Sequence, residues 1–345
     1  MYKVTLSMPI YNVAAYVERA LLSALNQTFE SIEFLLVDDR GTDNSMDIVR
    51  RIIKEHPRGK DVRIIEHPHN IGVGAARNTA IDNAQGEYLF FMDSDDEITP
   101  DCIQVLYDKM MEEKVDMVVG SYDDKLLNGT TIERIRYQNL LLKGKYKLAK
   151  YIFTQRGVFH MQLWNKLYNI QFLKKNNIRC SPSHSCEDYN VFSDITFKTF
   201  SCCFINNVTL LYLIRDDSTT GLLKSDNITL RGLTEFLETL KHNYSYLNLI
   251  HSKNLFVGYS KFLINDSFVY LCRLLKSKNI ELKYKKEIHH KFNKLIKSSN
   301  INKSPYDYDI RTNTKYLILK LPCYIQSILV KAIIYKNISR KYFKF

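Results

Sequence analysis

Residues 87–97, Glu87-Tyr88-Leu89-Phe90-Phe91-Met92-Asp93-Ser94-Asp95-Asp96-Glu97, pass from an apolar run of β character directly into three carboxylates within four positions. A packed core has no use for such an ending, because buried charges cost free energy unless they are paired. An open α/β sheet does use it. Ligands bind such sheets outside the carboxyl ends of the strands, and Asp93 and Asp95 at that edge offer the hard oxygens that a divalent cation and a diphosphate require. The plain alternative is a solvated turn after a strand, and an isolated Asp-x-Asp carries little weight against it. The surrounding chain decides between the two.

From Val4 to Val119 strand and helix signals alternate. Val4–Ile10, Ile32–Val37, Val62–Ile65, Tyr88–Met92 and Met117–Val119 read as strands, with Ala14–Leu25, Asp43–Lys54, Gly74–Ala84 and Pro100–Glu113 as helices between them. This βαβα pattern predicts an α/β fold with a mainly parallel sheet flanked by helices. Asp43-Asn44-Ser45 has N-cap chemistry, and Thr99-Pro100 places proline at the first turn of the next helix. Residues 120–145 are polar and weakly patterned, as an excursion over the sheet would be. Tyr146–Phe153, Ile170–Asn176 and Glu187–Phe197 then read as helical, and Cys203–Ile205 and Leu210–Ile214 as extended. Beyond Gly221 long amphipathic segments predict an α-helical appendage, so the expected division is residues 1–220 and 221–345.

Charge separates the same two regions. Residues 221–345 hold 23 Lys+Arg against 8 Asp+Glu, a net of +15, and subtraction from the totals of 49 and 37 leaves 26 against 29 for residues 1–220. No zinc finger, basic zipper or RNP-type motif accompanies the basic residues, which argues against nucleic acid. Lysines mixed with Leu, Ile, Tyr and Phe suit an anionic membrane surface, and a helical bundle with solvated lysines is the alternative. Residues 316–335 are interrupted by Lys320, Pro322, Gln326 and Lys331, so they fall short of a spanning helix. Met1-Tyr2-Lys3 leads straight into the first strand signal without a secretory leader. The seven cysteines form no Cys-x-x-Cys pair, which fits free thiols in a reducing compartment. Cys180, His184 and Cys186 suggest zinc only if a fourth ligand is nearby, and none is. The expected location is therefore cytoplasmic, peripheral on the inner face of the membrane.

Polar clusters follow the strands in order: Pro9-Ile10-Tyr11-Asn12, Asp38-Asp39, His67 to Asn70, and Asp93-Ser94-Asp95-Asp96. In a parallel sheet these ends share one edge and line one crevice. Each has a duller explanation: turn formers for Pro9 and Asn12, a helix cap for Asp38-Asp39, a solvated helix charge for Arg77. Their joint order is what favours a site.

In these segments the chain resembles glycosyltransferase family 2, the nucleotide-sugar-dependent transferases of GT-A fold. The resemblance continues through residues 25–28, 36–45, Asn70-Ile71-Gly72-Val73-Gly74-Ala75-Ala76-Arg77-Asn78, Gly86-Glu87-Tyr88, Trp164-Asn165-Lys166-Leu167-Tyr168, Glu187-Asp188 and Tyr212 to Arg215. It covers about residues 3–220 and leaves the basic tail uncovered. The resemblance implies an inverting transferase whose nucleotide-sugar site includes Pro9, Tyr11, Asn12, Asp38, Asp39, Arg77, Asp93, Ser94 and Asp95. Tyr11 would lie against uracil and Asp39 accept from its N3–H, with Asp38 and Arg77 supporting that subsite. Asp93 would face the ribose or a metal-bound water, and Asp95 would ligate Mg²⁺ or Mn²⁺. Asp188 would be the general base, with Glu187 in support. Two departures stand out: Arg40 where relatives carry glycine, and Leu213-Ile214 between Tyr212 and Arg215.

The chemistry asks for the same parts. Displacing a nucleoside diphosphate from an anomeric carbon builds negative charge on the leaving group, which a cation offsets, while the acceptor hydroxyl needs a carboxylate base. Helix-capping carboxylates are the local alternative for Glu187-Asp188. Trp164 serves either as core packing or as a platform for a sugar ring of the glycan or lipid-linked glycan acceptor. A sugar nucleotidyltransferase should carry a glycine-rich triphosphate loop after its first strand, and Met8-Pro9-Ile10-Tyr11-Asn12 has no glycine. A dinucleotide oxidoreductase fails because Arg77 replaces the third glycine of Gly72-Val73-Gly74 and the motif does not follow the first strand. A non-catalytic carbohydrate- or membrane-binding module would be expected to lack Asp39, Asp95 or Asp188.

Overall fold

The computed structural model describes residues 2–155, 157, 159–181, 187–214, 229–303 and 308–335. Its chain divides into two compact units, one of residues 1–148 with 158–216 and one of residues 149–157 with 217–345. The boundary expected at residues 220 and 221 lies outside the described residues.

The first unit is built on one mixed sheet. Strands β1 (Val4–Ile10), β2 (Ile32–Asp38), β3 (Val62–Glu66) and β4 (Tyr88–Phe91) run parallel in the spatial order β3-β2-β1-β4. Helices α1 (Val17–Leu25), α2 (Ser45–Glu55) and α3 (Val73–Asn83) connect them. β2 is buried at every position, which is why it reads as an unbroken apolar run rather than an alternation. Glu33 within it is 1% exposed and is held by Arg63 at 2.6 Å and by the Thr5 hydroxyl at 2.6 Å. Such a partner is the condition on which a buried carboxylate is tolerated.

After the short β5 (Glu97–Ile98) and α4 (Cys102–Glu113) come β6 (Met117–Leu126), β7 (Thr131–Ile135), β8 (Leu140–Lys143) and α5 (Lys147–Thr154). Residues 120–145 are therefore sheet rather than an excursion over it: β6 pairs antiparallel with β7, and β8 pairs with a later strand. The exposed β7 side chains Ile132, Glu133 and Arg134 give it no apolar face to read. Next are β9 (Lys166–Asn169), α6 (Ile170–Lys175), α7 (Glu187–Lys198) and β10 (Ser201–Ile214). β9 is the antiparallel insertion between β4 and β6, four residues long and too short to show a period. β10 is one strand, not two, because its register slips around Asn206-Asn207 and the ladder resumes beyond them. Pro100 lies ahead of α4 rather than within it, and its carbonyl accepts from Thr28 N–H at 2.9 Å.

The second unit is helical: α8 (Leu230–Ser245), α9 (Lys253–Lys276), α10 (Leu282–Ser298), α11 (Ile310–Lys320) and α12 (Cys323–Tyr335). Residues 149–157 belong to it through Phe153, whose ring packs 4.9 Å from Tyr259 and 5.5 Å from Phe262. A side chain on Gly258 would strike the Phe153 carbonyl, so that approach needs glycine. No helix among the described residues is long and apolar enough to cross a membrane.

Candidate active site

The loops after β1 and β2 are locked together by Asn12. This residue takes a left-handed conformation (φ 51°), and its side-chain oxygen accepts from the backbone N–H of Thr42 at 2.7 Å and of Asp43 at 3.3 Å. Gly41 packs so closely on Asn12 that a Cβ would meet its backbone nitrogen at 2.8 Å. Asp43 in turn accepts from Ser45 N–H and Oγ, capping α2 from one residue before its N-cap position. A cleft of about 200 Å³ opens here, lined by Tyr11, Asn12, Asp38, Arg40, Asp47 and Arg50 among others. Tyr11 is 44% exposed, whereas Pro9 beneath it is half-buried. Asp38 accepts from Arg40 N–H at 2.8 Å.

Asp39 is 2% exposed and committed elsewhere. Its Oδ1 meets His67 Nδ1 at 2.7 Å and accepts from Ile71 N–H at 2.9 Å, while Oδ2 accepts from Gly72 N–H at 2.9 Å. Thr79 bonds the other ring nitrogen of His67 at 2.9 Å. Asp39 thus fixes the turn into α3, where Gly72 supplies the φ of 97° that side chains resist.

α3 carries Arg77, 3% exposed, which sits among three acids and not beside the Tyr11 cleft. It reaches Asp93 at 2.9 Å, Glu187 at 2.8 Å and Asp188 at 2.9 Å. The fork geometry of a guanidinium allows this bridging of residues far apart in sequence. α3 also positions the segment leading to the acids. Asn78 bonds the backbone of Cys180 in both directions, and Gly74 is so close to the Ser181 carbonyl that no Cβ would fit. The suggestion of zinc at Cys180, His184 and Cys186 involves residues 182–186, which lie outside the described residues. Cys180 itself is buried, and burial raises its thiol far above the usual range.

Asp93, Asp95 and Asp96 have ligand oxygens within 4.8 Å of one another, a set of hard donors suited to a small divalent cation. Ser94 between them is buried. Asp96, absent from the expected ligand set, is 1% exposed and accepts from Leu213 N–H at 3.0 Å, tying the cluster to β10. Burial drives the Asp188 carboxyl up to about 7, Arg77 pulls against it, and the charges of Glu187 and Asp93 push the same way as burial. Burial also opposes the charge of Arg77, but Asp188, Asp93 and Glu187 outweigh it and hold the guanidinium above its ordinary value.

Trp164 is 4% exposed, stacked on Tyr212 at 5.5 Å and edge-on to Tyr122 at 4.9 Å. Its place is therefore in the core, with no open face for a sugar. Arg215, beyond β10, lies outside the described residues. Lys166 was not anticipated: it is 2% exposed on β9, with Nζ donating to the Gln162 and Trp164 carbonyls at 2.5 and 3.4 Å. The Phe159 ring lies 5.0 Å from the ammonium. Burial brings its pKa down to about 7, and the charge of Asp188 acts in the other direction. A lysine between Leu163-Trp164 and Leu167-Tyr168, with only Asn165 beside it, is the sequence signal that marks it.

Residues 5–175 match the model of glycosyl transferase family 2. The chain belongs to glycosyltransferase family 2. An uncharacterized glycosyltransferase of Haemophilus influenzae is 34% identical over 161 residues, covering 45% of this chain and 63% of that protein. Glycosyltransferase GlyA of Streptococcus pneumoniae is 39% identical over 227 residues, covering 63% of this chain and 31% of that protein. The chain thus spans less than two thirds of either relative. Among solved structures, S. aureus TarS 1–349 in complex with UDP superposes with a TM-score of 0.66 at 16% identity, covering 92% of this chain and 90% of that one. At that identity the likeness shows the fold, which is the GT-A architecture of this family.

Proposed function

We propose that this chain is an inverting glycosyltransferase that moves a hexosyl or N-acetylhexosaminyl group from a UDP-sugar to a hydroxyl of a glycan or lipid-linked glycan, in the synthesis of surface polysaccharide. The observation that carries the reading is Arg77 bridging Asp93 to Glu187 and Asp188, which joins a diphosphate-facing cluster to a candidate base. In this reading Tyr11 stacks on the nucleobase, and Asp39, whose Oδ2 accepts only from Gly72 N–H among the described residues, would accept from N3–H as well while fixing the turn at Ile71 and Gly72. Asp95 and Asp93 would hold Mg²⁺ or Mn²⁺, for which the three clustered carboxylates are a fitting donor set. When bound, the cation offsets the charge that grows on the departing diphosphate.

Asp188 takes the proton of the acceptor hydroxyl as its oxygen bonds to the anomeric carbon. The bond from that carbon to the diphosphate breaks on the opposite face, and UDP leaves with the electron pair. No enzyme adduct forms, so the configuration inverts. A carboxylate raised to about 7 is a stronger proton acceptor than an ordinary aspartate and is about half ionised at neutral pH. A lipid-linked acceptor places the enzyme on the inner face of the cytoplasmic membrane.

The test is donor hydrolysis against UDP-, GDP- and dTDP-sugars with Mn²⁺, together with calorimetry of UDP binding. UDP-sugars should be preferred, and Asp95→Asn should abolish the metal dependence of UDP affinity. UDP binding that is unchanged by EDTA in the parent protein would remove the metal from the reading, and preference for another nucleotide would remove the uridine.

A further inference from the structure

The second unit carries large apolar side chains in the open. On α11, Ile310 is 86% and Leu317 63% exposed; on α12, Tyr324 is 69% and Ile328 64% exposed. Their spacing is helical. Ile310, Thr314 and Leu317 form one stripe, and Tyr324, Ile328 and Lys331 another, across the turn at Leu321-Pro322. The opposite faces are packed: Thr312, Ile318 and Leu319 on α11, and Gln326 and Val330 on α12, are buried. Gln326 is also tied down there, donating to the Leu319 and Leu321 carbonyls and accepting from His289 of α10 at 2.6 Å. The exposed stripes are therefore the outer surface of helices whose inner surface is already satisfied.

Charge identifies what fits that surface. On these helices Arg311 and Lys331 are exposed and Lys320 is half-buried, while Lys315 is buried against Asn265; residues 310–335 hold no acid, and in sequence residues 336–345 add four more basic residues and again no acid. Lys297, at the end of α10, is near enough that its charge, after burial, helps to lower the pKa of Lys320. Neither lysine has an ion pair among the described residues, and Lys320 ends α11 at the turn between Leu317 and Tyr324. Aliphatic and tyrosine side chains rimmed by cations suit the plane where acyl chains meet anionic headgroups, whereas a nucleic acid would leave Ile310, Leu317 and Ile328 in water.

We propose that the outer faces of α11 and α12 dock on a bilayer that carries anionic lipid headgroups. The inference deepens the reading of a membrane-resident acceptor and rests on it, and it names the surface that holds the enzyme there. Insertion of the apolar stripes supplies part of the affinity and the surrounding lysines the rest, so attachment is reversible and weakened by salt.

The experiment is flotation of the full chain with vesicles of phosphatidylcholine alone or mixed with phosphatidylglycerol. The chain should float with the mixed vesicles at low salt, stay behind with phosphatidylcholine, and be released at high salt. Ile328→Ser and Lys331→Glu change exposed side chains of the helical unit, and each should reduce the bound fraction roughly three- to tenfold without altering UDP binding. Equal flotation with both vesicles, absence of flotation, or variants that float like the parent would overturn the proposal. So would variants that dissociate a dimer in sedimentation velocity while floating normally, since the face would then serve a second copy. UDP calorimetry on the same samples separates this failure from failure of the nucleotide-sugar reading.

Discussion

Two aspartates, one in each unit, are pushed up in pKa by desolvation, and they differ in everything that makes such a group useful. Asp188 rises to about 7 at the start of α7, with 21% of its side chain open and the guanidinium of Arg77 at 2.9 Å. Asp266 rises to about 8 in the middle of α9, 9% exposed, with Arg273 and Lys315 acting on it only through space and Oδ2 without a hydrogen-bond partner. Lys315 donates instead to the neighbouring Asn265 at 2.7 Å. A displaced pKa therefore does not by itself mark a site. What separates the two is a guanidinium at contact distance and a side chain left partly open.

The comparison breaks first at Asp188. Asp188→Asn keeps the shape and removes the base, so kcat should fall about a hundredfold or more while UDP binding stays near the parent value. In the parent, kcat should rise with pH through about 7, as the carboxyl loses its proton. A variant that turns over normally would move the base to another group, with Glu187 the next candidate.

At Asp266 the expected effect lies in stability. The folded carboxyl titrates near 8 and the unfolded one near 3.8, so the folded state holds a proton across that window and the unfolded state does not. Its contribution to stability is complete below the lower value and is lost as pH rises through the upper one. Asp266→Asn removes this liability and should make unfolding less dependent on pH, stabilising the protein by up to about 5 kcal/mol at pH 8. Urea melts at pH 5 and pH 8 check this. An unchanged pH dependence would mean that Asp266 finds a partner in solution.

The difference between the two aspartates was half legible in the sequence. Asp188 stood in a Glu-Asp pair at a helix start and followed an ordered series of motifs, while Asp266 sat unremarked in Asn265-Asp266-Ser267. The parallel strands β1, β2 and β4 were legible because burial leaves them mainly apolar, and the half-buried β3 because it falls between two helix signals. β7 and β9 were not, since one is exposed at its three central positions and the other is four residues long. Long-range partnership was the larger loss. Nothing local says that Arg77 leaves the Tyr11 cleft to join residues 110 and 111 positions away, or that His67 anchors Asp39. Trp164 looked equally suited to stacking on sugar or on tyrosine, and only the placement of Tyr122 and Tyr212 decided it.

Lys166 offers the finest test of the same contrast, because it is the second cation near Asp188 and, unlike Arg77, it makes no ion pair at contact distance among those described. Its ammonium is held by two carbonyls and faces the Phe159 ring, so its position is fixed while its charge remains unneutralised at short range. That charge favours the ionised form of Asp188 and offsets part of what burial does. Removing it as Lys166→Met should shift the acidic limb of the kcat profile to higher pH. The loss should be roughly two- to fivefold at pH 7 and mostly recovered by pH 8. Lys166→Arg, which stays charged where the lysine is about half neutral, should leave the limb at or below the pH where the parent has it. The alternative is that Lys166 only pins the segment from Gln162 to Trp164, in which case the methionine variant loses rate equally at every pH and the arginine variant does no better. A uniform loss would mean that Asp188, like Asp266, is set by burial and its contact neighbours alone.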